Sequence, residues 1–173
     1  MADPATTALL AAQDGDPTAF ERFVHLTSAD VAKYCRFLGD ETHADDLAQE
    51  TYLRTLRSLH SYRGDSPAVR WVLGIARRTC ADAIEQRQRS RRTELTRRTP
   101  ADDTQVVDLE LLIADLPDGQ REAFVLTQIL GYSYEDAADV CACAVGTIRS
   151  RVARARATLA ANLNGGHSPA VGT

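Results

Sequence analysis

Four arginines, Arg149, Arg151, Arg154 and Arg156, follow one another closely, and no aspartate or glutamate occurs between residues 145 and 159. A guanidinium offers a planar fork of donors, which can bond guanine O6 and N7 together or hold phosphate oxygens. Placed on a helical wheel at about 100° per residue, Ile148, Val152, Ala155 and Leu159 share one face. Gly146, Thr147, Ser150, Ala153 and Arg154 take the opposite face, flanked by Arg149, Arg151 and Arg156. Short hydroxyls and alanines between the guanidiniums let such a helix enter a major groove. The blander alternative is a solvated charged face, the commoner reading of charge runs. Against it, no carboxylate stands four residues away to pair with these arginines.

A reading helix needs a partner that fixes its angle. Ser133 supplies an N-cap oxygen and Asp136 comes three residues later, so a helix is predicted to begin at Tyr134. Ala137, Ala138 and Val140 keep it slim, and Cys141 to Ala144 form a small-residue turn before helical spacing resumes. That is the length of a helix-turn-helix. Upstream, VVDLELLIADLP reads as a short helix closed by Pro117, and GQREAFVLTQILGYS as another ended by Gly131. Residues 106–163 therefore form a four-helix module.

The composition is that of an ordinary globular chain, with 44% apolar and 25% charged residues among 173. Only 6% is aromatic and β-branched runs are nearly absent, so the fold class is expected to be all-α: two small helical domains joined by a flexible linker. The net charge of -4 argues against a nonspecific nucleic-acid coat. The charge is uneven, however: ten acids against four bases in residues 1–56, and six arginines against one acid in residues 87–98. No basic leader and no run of eighteen apolar residues occurs, which predicts a soluble cytoplasmic protein with no membrane insertion. Cys35, Cys80, Cys141 and Cys143 are too scattered for a disulfide framework, and a lone C-x-C lacks the second pair of a zinc site. No metal and no cofactor is expected. Without a glycine-rich phosphate loop or a histidine beside a nucleophile, catalysis has no candidate residues.

In the first half, Asp16-Pro17 opens a predicted helix that buries Phe20, Phe23, Val24, Val31, Tyr34 and Leu38 and stops at Gly39. A second helix over ADDLAQETYLRTLRSL is expected to turn Leu47, Leu53, Leu56 and Leu59 inward, leaving Asp45, Asp46, Gln49, Glu50 and Arg54 to solvent. Its acidic first turn suits the helix dipole, which is also a sufficient reason for acids there. HSYRGDSP is a loop in which Ser66 caps and Pro67 opens the next helix. That helix is expected to bury Trp71, Val72, Ile75, Ala76, Thr79, Cys80, Ala83 and Ile84 and to leave Arg70, Arg77, Arg78 and Arg87 elsewhere. Residues 10–89 thus form a first domain, residues 90–105 a polar linker, and residues 164–173 a disordered tail.

At this point the two halves resemble a family. DDLAQETYLRTLRSLHSYRGDSPAVRWVLGIAR looks like region 2, and LPDGQREAFVLTQILGYSYEDAADVCACAVGTIRSRVARARATL like region 4, of the extracytoplasmic function (ECF) sigma factors of the sigma-70 family. VCACAVGTIRSRVARAR and LTQILGYSYEDAA look most like the actinobacterial sigma C branch. The resemblance implies a factor that docks on core RNA polymerase through its clamp coiled coil and flap, recognises promoter DNA near -35 and -10, and performs no covalent step. It admits an anti-sigma factor as a further partner. By position, it implies that Asp46, Gln49, Glu50 and Arg54 grip the polymerase. Tyr62, Arg63, Gly64, Asp65 and Ser66, with Trp71, Arg77 and Arg78, would serve the -10 element. Thr147, Arg149, Ser150, Arg151, Arg154 and Arg156 would serve the -35 element. Arg78 stands where the family often has asparagine, and Ala153 replaces a bulkier side chain of some relatives.

Two other classes compete. A stand-alone helix-turn-helix regulator would use residues 106–163 in the same way but would need the first half for effector sensing or dimerisation. An enzyme acting on nucleic acid would need a metal-carboxylate cluster, and none is evident.

Overall fold

The computed structural model describes residues 3–39, 41–93 and 109–165, and among these every regular element is helical. In chain order they are α1 (Pro4–Gln13), α2 (Ala19–Leu38), α3 (Ala44–Arg57), α4 (Ala68–Thr93), α5 (Leu109–Ala114), α6 (Asp118–Phe124), α7 (Tyr134–Cys141) and α8 (Val145–Gly165). Helix α4 runs to Thr93, past the point where the linker was expected to begin. The rest of the linker and most of the tail lie outside the described residues.

Helix α1 lies before the expected first domain and opens on Asp3-Pro4, the same pair of residue types as Asp16-Pro17. Asp3 caps it by accepting from the amides of Ala5 and Thr6, each at 3.0 Å, and Pro4 opens it. Ala8 and Leu9 are buried, so the first domain begins before residue 10. Helix α1 also anchors the start of α4 and the loop that leads into it. Thr6 Oγ1 accepts the Ala68 amide at 2.9 Å, so the N-terminus of α4 is capped from another helix rather than by Ser66. The Gln13 amide donates to the carbonyls of Leu59 and Tyr62 at 2.5 and 2.7 Å, tying α1 to the loop before α4.

The start of α2 falls at Ala19, because Asp16 Oδ1 accepts from both the amide and the hydroxyl of Thr18 at 2.9 Å and holds the chain in a turn first. Its buried face includes Phe23, Val31, Tyr34 and Leu38, as the spacing required.

Helix α3 is rotated from expectation. Leu47 is buried, but its companions are Thr51 and Thr55, while Leu53 and Leu56 are 43% and 50% exposed. The threonines tolerate burial because each hydroxyl donates to the carbonyl one turn back, Thr51 to Leu47 and Thr55 to Thr51, both at 2.7 Å. The β-branched methyls then pack like valine, and neither hydroxyl is left unpaired.

In the second half, α6 continues through a π-helical turn over Val125–Ile129 to Gly131, whose φ of +78° only glycine adopts freely. Buried residues of the two halves join in one core, with Tyr34, Val72 and Ala76 continuous with Ile113, Leu126, Val140 and Ile148.

Candidate nucleic-acid interface

Ser133 caps α7 by accepting the Asp136 amide at 3.0 Å, and Tyr134 is the first helical residue. The turn into α8 passes through Ala142 in the left-handed region, φ +51°, with the Cys143 amide bonded back to the Ala138 carbonyl at 3.0 Å. Alanine carries a small steric cost there that glycine would not.

On α8, Ile148, Val152, Ala155 and Leu159 are buried against α6 and α7. Arg149 and Arg154 project into solvent beside Gly146 and Ala153, while Thr147 and Ser150 are half-buried. Ser150 donates to the Thr147 carbonyl at 3.0 Å, so its hydroxyl is partly occupied. Two arginines behave differently. Arg156 donates to the Gln128 side chain at 2.6 Å, which draws it toward α6. Arg151 turns away from the exposed face toward the junction of the two halves, where its guanidinium lies over Gly119 and reaches Cys143 Sγ at 4.0 Å.

The loop before α4 presents Arg63, Gly64 and Asp65 to solvent, with Ser66 half-buried. Tyr62 does not belong to that exposed set. It is 4% exposed, donates its hydroxyl to the Ser66 carbonyl, and stands 5.1 Å from the Trp71 ring. Tyr62 is therefore the post that shapes the loop. Trp71 is half-buried, and beside it a cavity of about 470 Å³ opens between α3 and α4, lined by Arg54, Ser61, Arg78 and Asp82.

The acidic helix α3 divides into two sets. Glu50 and Arg54 are tied to the α4 side, since Arg54 donates to Glu50 at 2.8 Å and to Asp82 at 2.6 Å. Those bonds, Glu50 first, hold the guanidinium more firmly protonated than usual. Asp46 and Gln49 remain exposed, and Leu53 and Leu56 lie with them on the outward face. These leucines went unrecognised because a leucine at helical spacing is normally assigned to the core.

The two halves meet through charged groups. Glu122 of α6 is buried and its Oε1 accepts from the Tyr34 hydroxyl at 2.6 Å and from Arg77 Nε at 2.8 Å. Burial, followed by the neighbouring carboxylate, pushes the Tyr34 hydroxyl well above its ordinary pKa, so it stays a donor. Burial pulls the Arg77 pKa down, but Glu122 more than offsets this and leaves it raised. Nearby, Arg70 pairs with Asp136 at 3.0 Å and with Asp139, and Tyr132 bonds Asp30. Acids of the second half thus cover arginines of α4. The expectation of two separable domains has to accommodate this packed arrangement.

Among the described residues no group of three or more His, Cys, Asp or Glu is placed to hold a metal ion, and no helix is long and apolar enough to cross a membrane.

Comparison with known proteins gives these surfaces a family context. The Sigma-70 region 2 family matches residues 23–90, and the Sigma-70 region 4 family matches residues 107–159. A probable RNA polymerase sigma-C factor of Mycobacterium bovis is 45% identical over 170 residues, covering 92% of each chain. The ECF RNA polymerase sigma factor EcfG of Rhodopseudomonas palustris is 40% identical over 137 residues, 72% of this chain and 74% of its own. Among solved structures, CnrH in complex with the cytosolic domain of CnrY has a TM-score of 0.76 at 27% identity, over 94% of this chain and 99% of that one. The sigma factor RpoE of Bartonella quintana, in complex with the anti-sigma factor NepR, has a TM-score of 0.73 at 28% identity, over 85% and 98%.

Proposed function

This chain belongs to the ECF sigma factors of the sigma-70 family, and we propose that it binds core RNA polymerase and directs it to promoters by reading -35 and -10 elements, working in the cytoplasm and catalysing no covalent step itself. The observation that carries this reading is the outer face of α8, where Arg149 and Arg154 are exposed over a fully buried Ile148, Val152, Ala155 and Leu159 seam. A rigid anchor behind free guanidiniums is what base-edge recognition requires.

In this reading Arg149 and Arg154 flank the outer face of α8 and read bases near -35, with Ser150 between them and Thr147 on the Arg154 side. Arg156, which Gln128 draws toward α6, takes a phosphate rather than a base in this reading. The loop Arg63 to Ser66, shaped by Tyr62 and backed by Trp71 and the cavity at Arg78, receives the -10 strand. The outward stripe of Asp46, Gln49, Leu53 and Leu56 docks on the polymerase clamp. Exposed leucines framed by polar groups are typical of a protein contact surface. Glu50 and Arg54 hold that helix to α4 rather than making the main contact.

Engagement of Arg70 and Arg77 by Asp136, Asp139 and Glu122 adds a second feature. The packed arrangement sets acids against the basic face of α4, so promoter binding competes with domain packing. An anti-sigma factor, of the sort seen with the Bartonella quintana relative, would act on the same balance.

The test is runoff transcription with purified core polymerase on a promoter library. Transcripts should depend on adding the protein, start downstream of a shared pair of elements, and vanish with Arg149→Ala/Arg154→Ala. A protein that binds a duplex specifically but never associates with core polymerase would be a stand-alone helix-turn-helix regulator instead.

A further inference from the structure

Between the two halves lies a cleft of about 510 Å³, within the range small-molecule sites occupy. Helices α2 and α4 supply one wall, and α6 and α8 the other. Tyr34, Leu38, Ala81 and Ile84 give it an apolar floor, while Arg78, Arg121 and Arg151 also line it.

The charge balance inside this cleft differs from that of the acidic chain around it. Three carboxylates face it, and each is already matched: Glu122 by Arg77 and Tyr34, Asp118 by Arg121, and Glu85 by Arg89. Among the described residues Arg78 has no ion pair, and Arg151 reaches only the Cys143 sulfur. Two guanidiniums therefore stand uncompensated over an apolar floor. In the same wall, Arg121 is already held by Asp118 and by the Ala114 carbonyl at 2.8 Å, which leaves Arg78 and Arg151 to meet a ligand. The position of Arg151 is also built in. A Cβ on Gly119 would come within 3.1 Å of its guanidinium carbon, so the bare glycine lets that group lie across the start of α6.

We propose that this cleft binds a small amphipathic organic anion. A carboxylate, sulfonate or phosphate group would face Arg78 and Arg151, and an aromatic or aliphatic body would cover Leu38, Ile84 and the Tyr34 ring. Because the walls come from both halves, such a ligand binds the packed arrangement more tightly than the separated one. Where promoter binding needs the separated arrangement, linkage makes the ligand and the promoter weaken each other's binding by equal factors. The site rests on the packing of the two halves and goes beyond promoter reading.

A suitable probe is 8-anilinonaphthalene-1-sulfonate, titrated into the full-length chain and followed by fluorescence. Wild type should give a saturable, one-to-one enhancement. Arg78→Gln and Arg151→Gln should each weaken it about tenfold or more, the size expected for losing a charge-assisted contact. Gly119→Ala removes no charge but pushes Arg151 aside, and it should weaken binding as well. Saturating probe should lower affinity for a duplex carrying the -35 element alone, which does not reach Arg78. Absence of saturable binding, or an Arg78→Gln/Arg151→Gln protein that folds and binds the probe like wild type, would overturn the site. If probe binding shows this pattern while runoff transcription fails, the cleft stands and the promoter reading falls.

Discussion

Replacing Glu122 by glutamine should shift the protein from its packed toward its open arrangement and so tighten promoter binding. Glutamine keeps the shape and an acceptor oxygen, so Tyr34 can still donate, but the charge that Arg77 faces is gone. Both bonds fall on one oxygen, at 2.6 and 2.8 Å. A bond to a charged group contributes about 1.5–3 kcal/mol against about 1 kcal/mol for a neutral one, so each loses roughly 1 kcal/mol. The Arg77 side chain is 41% exposed, and solvent screens part of that loss. A net change of about 1–2 kcal/mol is left, equal to roughly a five- to thirtyfold fall in the ratio of packed to open protein. When only the open fraction binds DNA, apparent affinity rises by up to the same factor, reaching it where the packed form predominates. Fluorescence anisotropy with a labelled promoter duplex measures it directly, with circular dichroism to check that helix content is unchanged. Tyr34→Phe gives a second arm from the opposite half, removing one of the two bonds without touching a charge. If Glu122→Gln and Tyr34→Phe both fold and both bind the duplex with wild-type affinity, the contact does not compete with promoter binding, and the reasoning fails.

Arg154→Ala should cost about tenfold or more at one matched -35 base pair, while Arg156→Ala should weaken all sequences alike and reduce the salt slope of binding; equal losses on every sequence for both would leave α8 holding backbone alone. Leu53→Gln/Leu56→Gln should abolish association with core polymerase in a pull-down while lowering the urea midpoint only slightly, because both side chains are about half exposed and glutamine is a good helix former; a large drop in stability would return these leucines to the core. Thr6→Ala should destabilise the chain by about 1 kcal/mol in urea denaturation, as loss of a helix cap does, and should speed proteolysis in the loop at Arg63; no change in either would mean the Ala68 amide finds another partner.

What the residues alone decided was local. The Ser133 cap, the alternation of Ile148, Val152, Ala155 and Leu159, and the stop at Gly131 each depend on neighbours within a turn or two, and each appears where the pattern required. The arginine-rich, acid-free composition of α8 was legible for the same reason. Helix α3 shows where that logic ends. Its leucines and its threonines both recur at helical spacing, and hydropathy favours the leucines. Only packing against α2 and α4, with each threonine hydroxyl absorbed by a carbonyl one turn back, decides that Thr51 and Thr55 go inside. Tyr62 illustrates the same limit, since only Thr6 and Gln13 of α1 explain why a tyrosine in a polar loop is buried. The junction of the two halves left no trace in the order of residues. Tyr34 and Glu122 are 88 positions apart, and an isolated glutamate on a short helix looks solvated until the fold brings a hydroxyl and a guanidinium to it. Pairing at that range is set by how the helices stack, and the burial that makes Glu122 matter exists only in the assembled chain.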